Sequence, residues 1–186
     1  MAKLQTWREY IGWSLDTIPA NIQVDVWPRR AGIVARRIDS ETHIDVMIWG
    51  VPLTVPSKHP GKTIIKHITN VRNLASPFWR STLAAPAQRC LVPFTGFAEP
   101  KIGAGRAEHW FTLRERSVGA FAGIWRSSDA GNVFAFLTCE PNTLVSSLHP
   151  NAMPVILHEE DYDIWLSGAD ADLLAKPYPS QLMVVA

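Results

Sequence analysis

Two hydrophobic periods run along this chain. Ser76 is a good N-cap with Pro77 at the first helical position, and Phe78, Trp79, Leu83 and Ala84 then recur at helical spacing until Pro86, which predicts one short helix. Cys90 to Phe94 is a continuous apolar run, read as a buried strand that ends in a Thr95-Gly96 turn with Glu99 just beyond it. Upstream, Thr6 and Glu9 form a capping-box pattern, so a first helix is expected with Trp7, Tyr10, Ile11 and Leu15 on its apolar side. Short β-branched runs at Ile22 to Val26, Gly32 to Ile38 and His43 to Trp49 predict antiparallel strands. The segment from Gly50 to Thr63 contains Pro52, Pro56, Pro60 and Gly61 and is predicted to be a loop over the site.

Downstream, His109 to Glu115, Gly119 to Arg126 and Val133 to Cys139 read as three further strands, the last apolar on both faces and therefore central. A short helix is expected within Pro141 to Leu148, with His149 at its end. Met153 to Leu157 should return as a buried strand, followed by an acidic helix at Glu159 to Leu166 and a turn at Pro177 to Pro179. Strands interspersed with short helices, without regular βαβ alternation, imply an α+β fold with a mostly antiparallel, partly barrel-like sheet surrounded by short helices. No repeat or linker divides the chain, and 186 residues suit a single domain over 1–186.

Composition narrows the function classes. A 47% hydrophobic and 19% charged content is that of a globular protein. No stretch is apolar enough to span a bilayer and the first residues lack a signal-peptide core, so no membrane partner and a cytoplasmic location are expected. Cys90 and Cys139 are isolated and no His pair stands at i, i+4, so neither a metal site nor a disulfide framework is expected, and no cofactor motif is present. A thiol hydrolase built on Cys139 and His149 conflicts with the position of Cys139 at the end of a buried strand. The charge is uneven: residues 1–126 hold 17 Lys and Arg against 9 Asp and Glu, a balance of +8, and the remainder carries −7. Arg29, Arg30, Arg36, Arg37, Lys58, Lys62, Lys66, Arg72, Arg80 and Arg89 would form a basic face able to neutralise phosphates, unless they are ordinary solvated charges.

Glu99, just beyond a buried strand, with Asn70 and Arg72 at the far side of the same helical crossover, and His149 at the end of a short helix are the candidate site residues. Each also has an ordinary reading: a strand-end carboxylate, a turn residue, a surface charge and a helix-end dipole partner. Taken together, ITNVRN, RCLVPFTGFAEP and SSLHPNAMPVIL resemble the three signature blocks of the SOS-response-associated peptidase (SRAP) family, roughly I-N-A-R, R-C-L-x-P-x-x-G-F-x-E-W and I-H-x-R-M-P-x-I-L, in the same order. The resemblance implies a sensor of abasic sites in single-stranded DNA, with autopeptidase and lyase-like cross-linking activity. It implies that Asn70, Glu99 and His149 are the active-site residues, and that Arg72 and the Trp49-Gly50 step contact DNA. Arg36, Arg37 and Arg80 are added from the basic face as further DNA-binding candidates.

In that family a cysteine exposed by removal of the initiator methionine closes a stable thiazolidine on the sugar aldehyde. Here Ala2 follows Met1, Pro100 stands where the family has Trp, and LHPNAMP is one residue longer than the family block and lacks its Arg. The resemblance is therefore to a divergent or N-terminally truncated member, impaired in stable cross-linking as the chain is written. The alternative is a non-catalytic single-stranded DNA-binding module on the same fold. Oligomeric state is not legible in the sequence.

Overall fold

The structure, a computed structural model, describes residues 25–186; the expected first helix and Ile22 to Val24 lie outside the described residues. Asp25 and Val26, the last two positions of the predicted first strand, are not strand. The elements in chain order are β1 (Ala31–Ile38), β2 (Glu41–Trp49), β3 (Val51–Pro56), β4 (Thr63–Ile68), β5 (Asn70–Val71), α1 (Pro77–Ala84), β6 (Arg89–Phe94), β7 (Phe97–Pro100), β8 (Glu108–Leu113), β9 (Gly119–Ser128) and β10 (Gly131–Cys139). They continue with α2 (Thr143–Ser146), β11 (Met153–Pro154), β12 (Ile156–Leu157), α3 (Tyr162–Leu166), α4 (Ala171–Leu174) and β13 (Met183–Val185).

The α+β reading holds. Strands β2, β1, β6, β9 and β10 are paired in that order, and a parallel contact of β10 with β2 (Val133 with Ile48, Phe134 with Trp49) closes them into a five-stranded barrel; its other pairings are antiparallel. The buried run in β10, from Val133 to Cys139, fits its central place, since that strand also pairs with β5 and β11. Aromatic rings fill the interior: Phe94 stacks on Phe121 at 4.0 Å, Phe121 meets Phe136 at 5.0 Å, and Phe136 stacks on Trp49 at 5.2 Å. A separate sheet in the order β13, β8, β7 carries the chain away from the barrel after the Thr95-Gly96 turn.

The helix at Pro77 has the predicted local chemistry, the Ser76 hydroxyl accepting from the Phe78 N–H. Three expectations change. The predicted loop from Gly50 to Thr63 is largely strand: β3 and β4 form a separate antiparallel hairpin, with only 57–62 left as its turn. Pro52 and Pro56 fit because β3 has a partner on one side only, so a missing N–H breaks no second ladder. Met153 to Leu157 is two short strands instead of one. The segment fills the split between β9 and β10, β11 pairing with β10 and β12 with β9; between them Val155 N–H donates to Leu137 O, and Val155 O accepts from Ala122 N–H. Arg89 does not belong to a basic face. It is 2% exposed, its guanidinium donates to Leu83 O (3.0 and 2.6 Å) and Ala169 O (3.1 Å), and it lies 3.8 Å over the Trp165 ring. Burial pushes its pKa down to about 10, against the attraction of Asp170.

Among the strands and α-helices of the described residues, β5, β7, α4, β13 and most of β4 escape sequence reading. The three residues of β13 gain their strand identity only by pairing with β8.

Candidate functional site

Glu99 is delivered by β7. Strand alternation puts Phe97 and Glu99 on one face, and Phe97 is buried against Phe94, Phe111 and Phe121. That packing carries Glu99 into a half-buried position. Its cross-strand partner in register is His109, a second imidazole-bearing position beside Glu99 that sequence reading did not single out.

His149 arrives from the other side, just past α2. Asn142 caps that helix, its Oδ1 accepting from Val145 N–H at 2.9 Å while its Nδ2 donates to Tyr178 O at 2.6 Å. The helix then ends with His149 N–H donating to Val145 O at 2.7 Å. Asn142 is thus the cap, one residue outside the helix.

The two side chains meet. His149 Nε2 is 3.4 Å from Glu99 Oε2, and the side chains are only 16% and 19% exposed. Burial pushes the Glu99 carboxyl up to about 7, because a carboxylate loses hydration there. His149 Nδ1 is buried and has no hydrogen-bond partner among the described residues. Near neutral pH the Glu99 carboxyl can therefore give up or take back a proton beside an imidazole whose Nδ1 is uncommitted.

Arg72 is held at the end of β10. Its Nη1 donates to Cys139 O (3.2 Å) and Asn151 O (2.9 Å), and its Nη2 donates to Glu140 Oε1 at 2.5 Å. These bonds tie the end of β10 to the loop that follows His149. Asn70 is exposed on β5, in register with Phe136, and makes no hydrogen bond to Glu99 or His149 among the described residues. Trp49 is fixed at the barrel end, its indole N–H donating to Thr69 O at 3.0 Å; Gly50 follows with φ +126°, a conformation that favours glycine, and its N–H donates to Phe134 O at 2.8 Å.

The remaining candidate cations differ in their surroundings. Arg36 is paired with Asp45 and lies 4.6 Å over the Trp125 ring. Arg37 is paired with Asp163 and donates to Ser167 Oγ at 3.2 Å. Arg80 is exposed on α1. Both cysteines are buried; burial raises the Cys90 thiol far above its ordinary value and the Cys139 thiol to about 11, so neither offers a ready thiolate. Among the described residues no group of three or more His, Cys, Asp or Glu is placed to hold a metal ion, and no helix is long and apolar enough to cross a membrane.

Comparison with known proteins adds a family and a fold. The profile described as SOS response associated peptidase (SRAP) matches residues 4–186. No curated protein matches the chain. Among solved structures, one of a Bordetella bronchiseptica protein is similar with a TM-score of 0.76 and 24% identity, covering 100% of this chain and 95% of that one. A Bacteroides thetaiotaomicron protein gives 0.65 and 22%, covering 84% and 73%. A phage-related protein from Bordetella bronchiseptica gives 0.59 and 19%, covering 87% and 79%. At these identities the likeness is one of fold.

Proposed function

Because this chain belongs to the SOS response associated peptidase family, we propose that it recognises abasic sites in single-stranded DNA where Glu99 and His149 meet. Family membership alone supports the coarser statement, a peptidase-like function associated with the SOS response. The observation that supports the finer one is the half-buried carboxyl-imidazole pair at 3.4 Å, with the carboxyl held at about 7. A group that titrates near the working pH gives and takes a proton at similar cost. An abasic sugar needs that help twice, once to open its ring to the aldehyde and once when an amine attacks it. In this reading His149 protonates the sugar oxygen, Glu99 moves protons for the amine, and Asn70 hydrogen-bonds the amino-terminal residue. Trp49 and Gly50 border the nucleotide next to the lesion, while Arg72 stands near the phosphates and holds the loop of His149.

The test compares binding to an abasic single strand and to the same strand intact, at low and raised salt. Tighter, salt-sensitive binding to the abasic strand is expected. Equal affinity for both strands, or no binding at low salt, overturns the reading.

A second reading, a non-catalytic binding module, is favoured by the thiols. The chain as written has Ala2 after Met1, and its only cysteines, Cys90 and Cys139, are buried. An amine without a neighbouring thiol condenses with the aldehyde, releasing water, to an imine that hydrolyses again; it cannot close a thiazolidine. Ala2 itself lies outside the described residues. Incubation with an abasic strand, with and without borohydride, followed by denaturing electrophoresis, separates the cases. The 186-residue chain is expected to give an adduct only with the reductant. No adduct in either lane favours the binding module, and an adduct without reductant shows that another nucleophile operates.

A further inference from the structure

The β3–β4 hairpin is arranged for water more than for packing. Every residue from Lys58 to His67 is exposed. Its tip is tight: Lys62 N–H donates to His59 O at 3.2 Å around Pro60 and Gly61, with Gly61 at φ +73°, the arrangement of a type II turn, and Ser57 N–H donates to Lys62 O at 2.8 Å. Two strands of six residues carry that tip about 20 Å from their base. The base adjoins three of the candidate positions read from the sequence, since β3 starts directly after Trp49-Gly50 and β4 ends directly before Thr69-Asn70.

The charges on this arm are of one sign. It carries Lys58, His59, Lys62, Lys66 and His67, and the sequence has no Asp or Glu anywhere from Val46 to Ala98. Among the described residues none of the three lysines is in an ion pair, whereas Arg36, Arg37 and Arg72 face Asp45, Asp163 and Glu140. The basic character that the sequence spreads over its first two-thirds is thus partly neutralised on the barrel and open on the hairpin.

Apolar surface accompanies it. Ile64 is 47% exposed and Ile65 is 64% exposed. In the observed register Ile65 shares a face with His67, opposite Thr54 and Pro52, while Ile64 shares the other face with Lys66, opposite Val55 and Leu53. Each face thus sets an isoleucine beside a basic residue. A single nucleic-acid strand offers the complementary pattern, phosphates alternating with sugars and bases whose faces accept apolar contact.

We propose that the β3–β4 hairpin is a binding arm for single-stranded nucleic acid, its three lysines neutralising phosphates of the strand that runs out from the Glu99–His149 site. The substrate class rests on the function proposed above. The arm adds affinity and salt dependence without touching the reacting sugar.

The experiment measures affinity for a single-stranded oligonucleotide against salt concentration, for the full chain and for a Lys58→Gln/Lys62→Gln/Lys66→Gln variant. Removing three phosphate contacts lowers the slope of log affinity against log salt by about 2, at roughly 0.7 per contact. A variant with arginine at the same three positions keeps the slope, and so does Lys176→Gln in the acidic C-terminal part. If the unaltered chain binds but the triple glutamine variant shows the same slope, the arm is overturned while the proposed function stands. If the unaltered chain binds no single strand, the proposed function falls and the arm with it. Loss of binding to anionic phospholipid vesicles in the triple variant, with its DNA slope intact, would overturn the proposal in favour of a membrane surface.

Discussion

The Glu99–His149 pair and the β3–β4 hairpin treat polar groups in opposite ways. On the barrel side, polar groups leave water and are held from several directions. Glu99 is pushed up to about 7 beside His149, and Arg89, pushed down to about 10, spends its donors on Leu83 O and Ala169 O beneath the Trp165 ring. On the hairpin, Lys58, Lys62 and Lys66 stand in solvent without ion-pair partners among the described residues. The difference separates two kinds of work. A group that must exchange a proton needs a surrounding that sets its affinity for one, while a group that only attracts phosphate needs to be displayed.

The largest expected effect lies on the barrel side. Trp165 is fully buried on α3, and its indole N–H donates to both Cys90 O (2.9 Å) and Gly123 O (3.2 Å) while Arg89 covers the ring. Trp165→Ala opens a cavity and strands those partners, so a loss of about 3–5 kcal/mol is expected in urea unfolding. A loss under about 1 kcal/mol would mean that this end of the barrel does not fix its polar groups as described.

The second effect depends on pH. A Glu99 carboxyl that releases its proton at about 7 in the folded protein and at 4.5 when exposed leaves the folded state holding the extra proton between those values. Stability fully present below pH 4.5 is therefore lost progressively as pH rises, and the loss is complete above about 7. Glu99→Gln removes this dependence. The variant should match the parent near pH 4.5 and exceed it above pH 7 by on the order of 2 kcal/mol, as read from urea melts at pH 4.5, 6 and 8. A constant difference across that range would show that burial is not what sets the proton affinity of Glu99.

The smallest effect is on the hairpin. Replacing Lys58, Lys62 and Lys66 with Gln should shift unfolding stability by no more than about 0.5 kcal/mol, because no packed contact is lost. A larger destabilisation would place the hairpin within the cooperative core and remove the contrast between the two regions.

What could be read along the chain had a local cause. The Ser76 cap with Pro77, the apolar run of β6 and the doubly buried β10 all follow from neighbours a few residues away. The motif blocks around Glu99 and His149 marked the right stretches, but their approach to 3.4 Å depends on β7 leaving the barrel for a second sheet and on the helix that Asn142 caps. Other assignments depended on partners far off in sequence. Arg72 finds its carbonyls 67 and 79 residues away, and Arg89 finds Ala169 at a separation of 80. In composition each is merely a cation among others. The same holds for the prolines of β3, which suggest a loop until the pairing with β4 leaves that strand an edge. The sequence by itself determined where short-range sterics and hydrophobic period bend, cap or extend the backbone. Only the tertiary structure decided which charges lose their water and which keep it, because desolvation depends on what distant segments bring alongside.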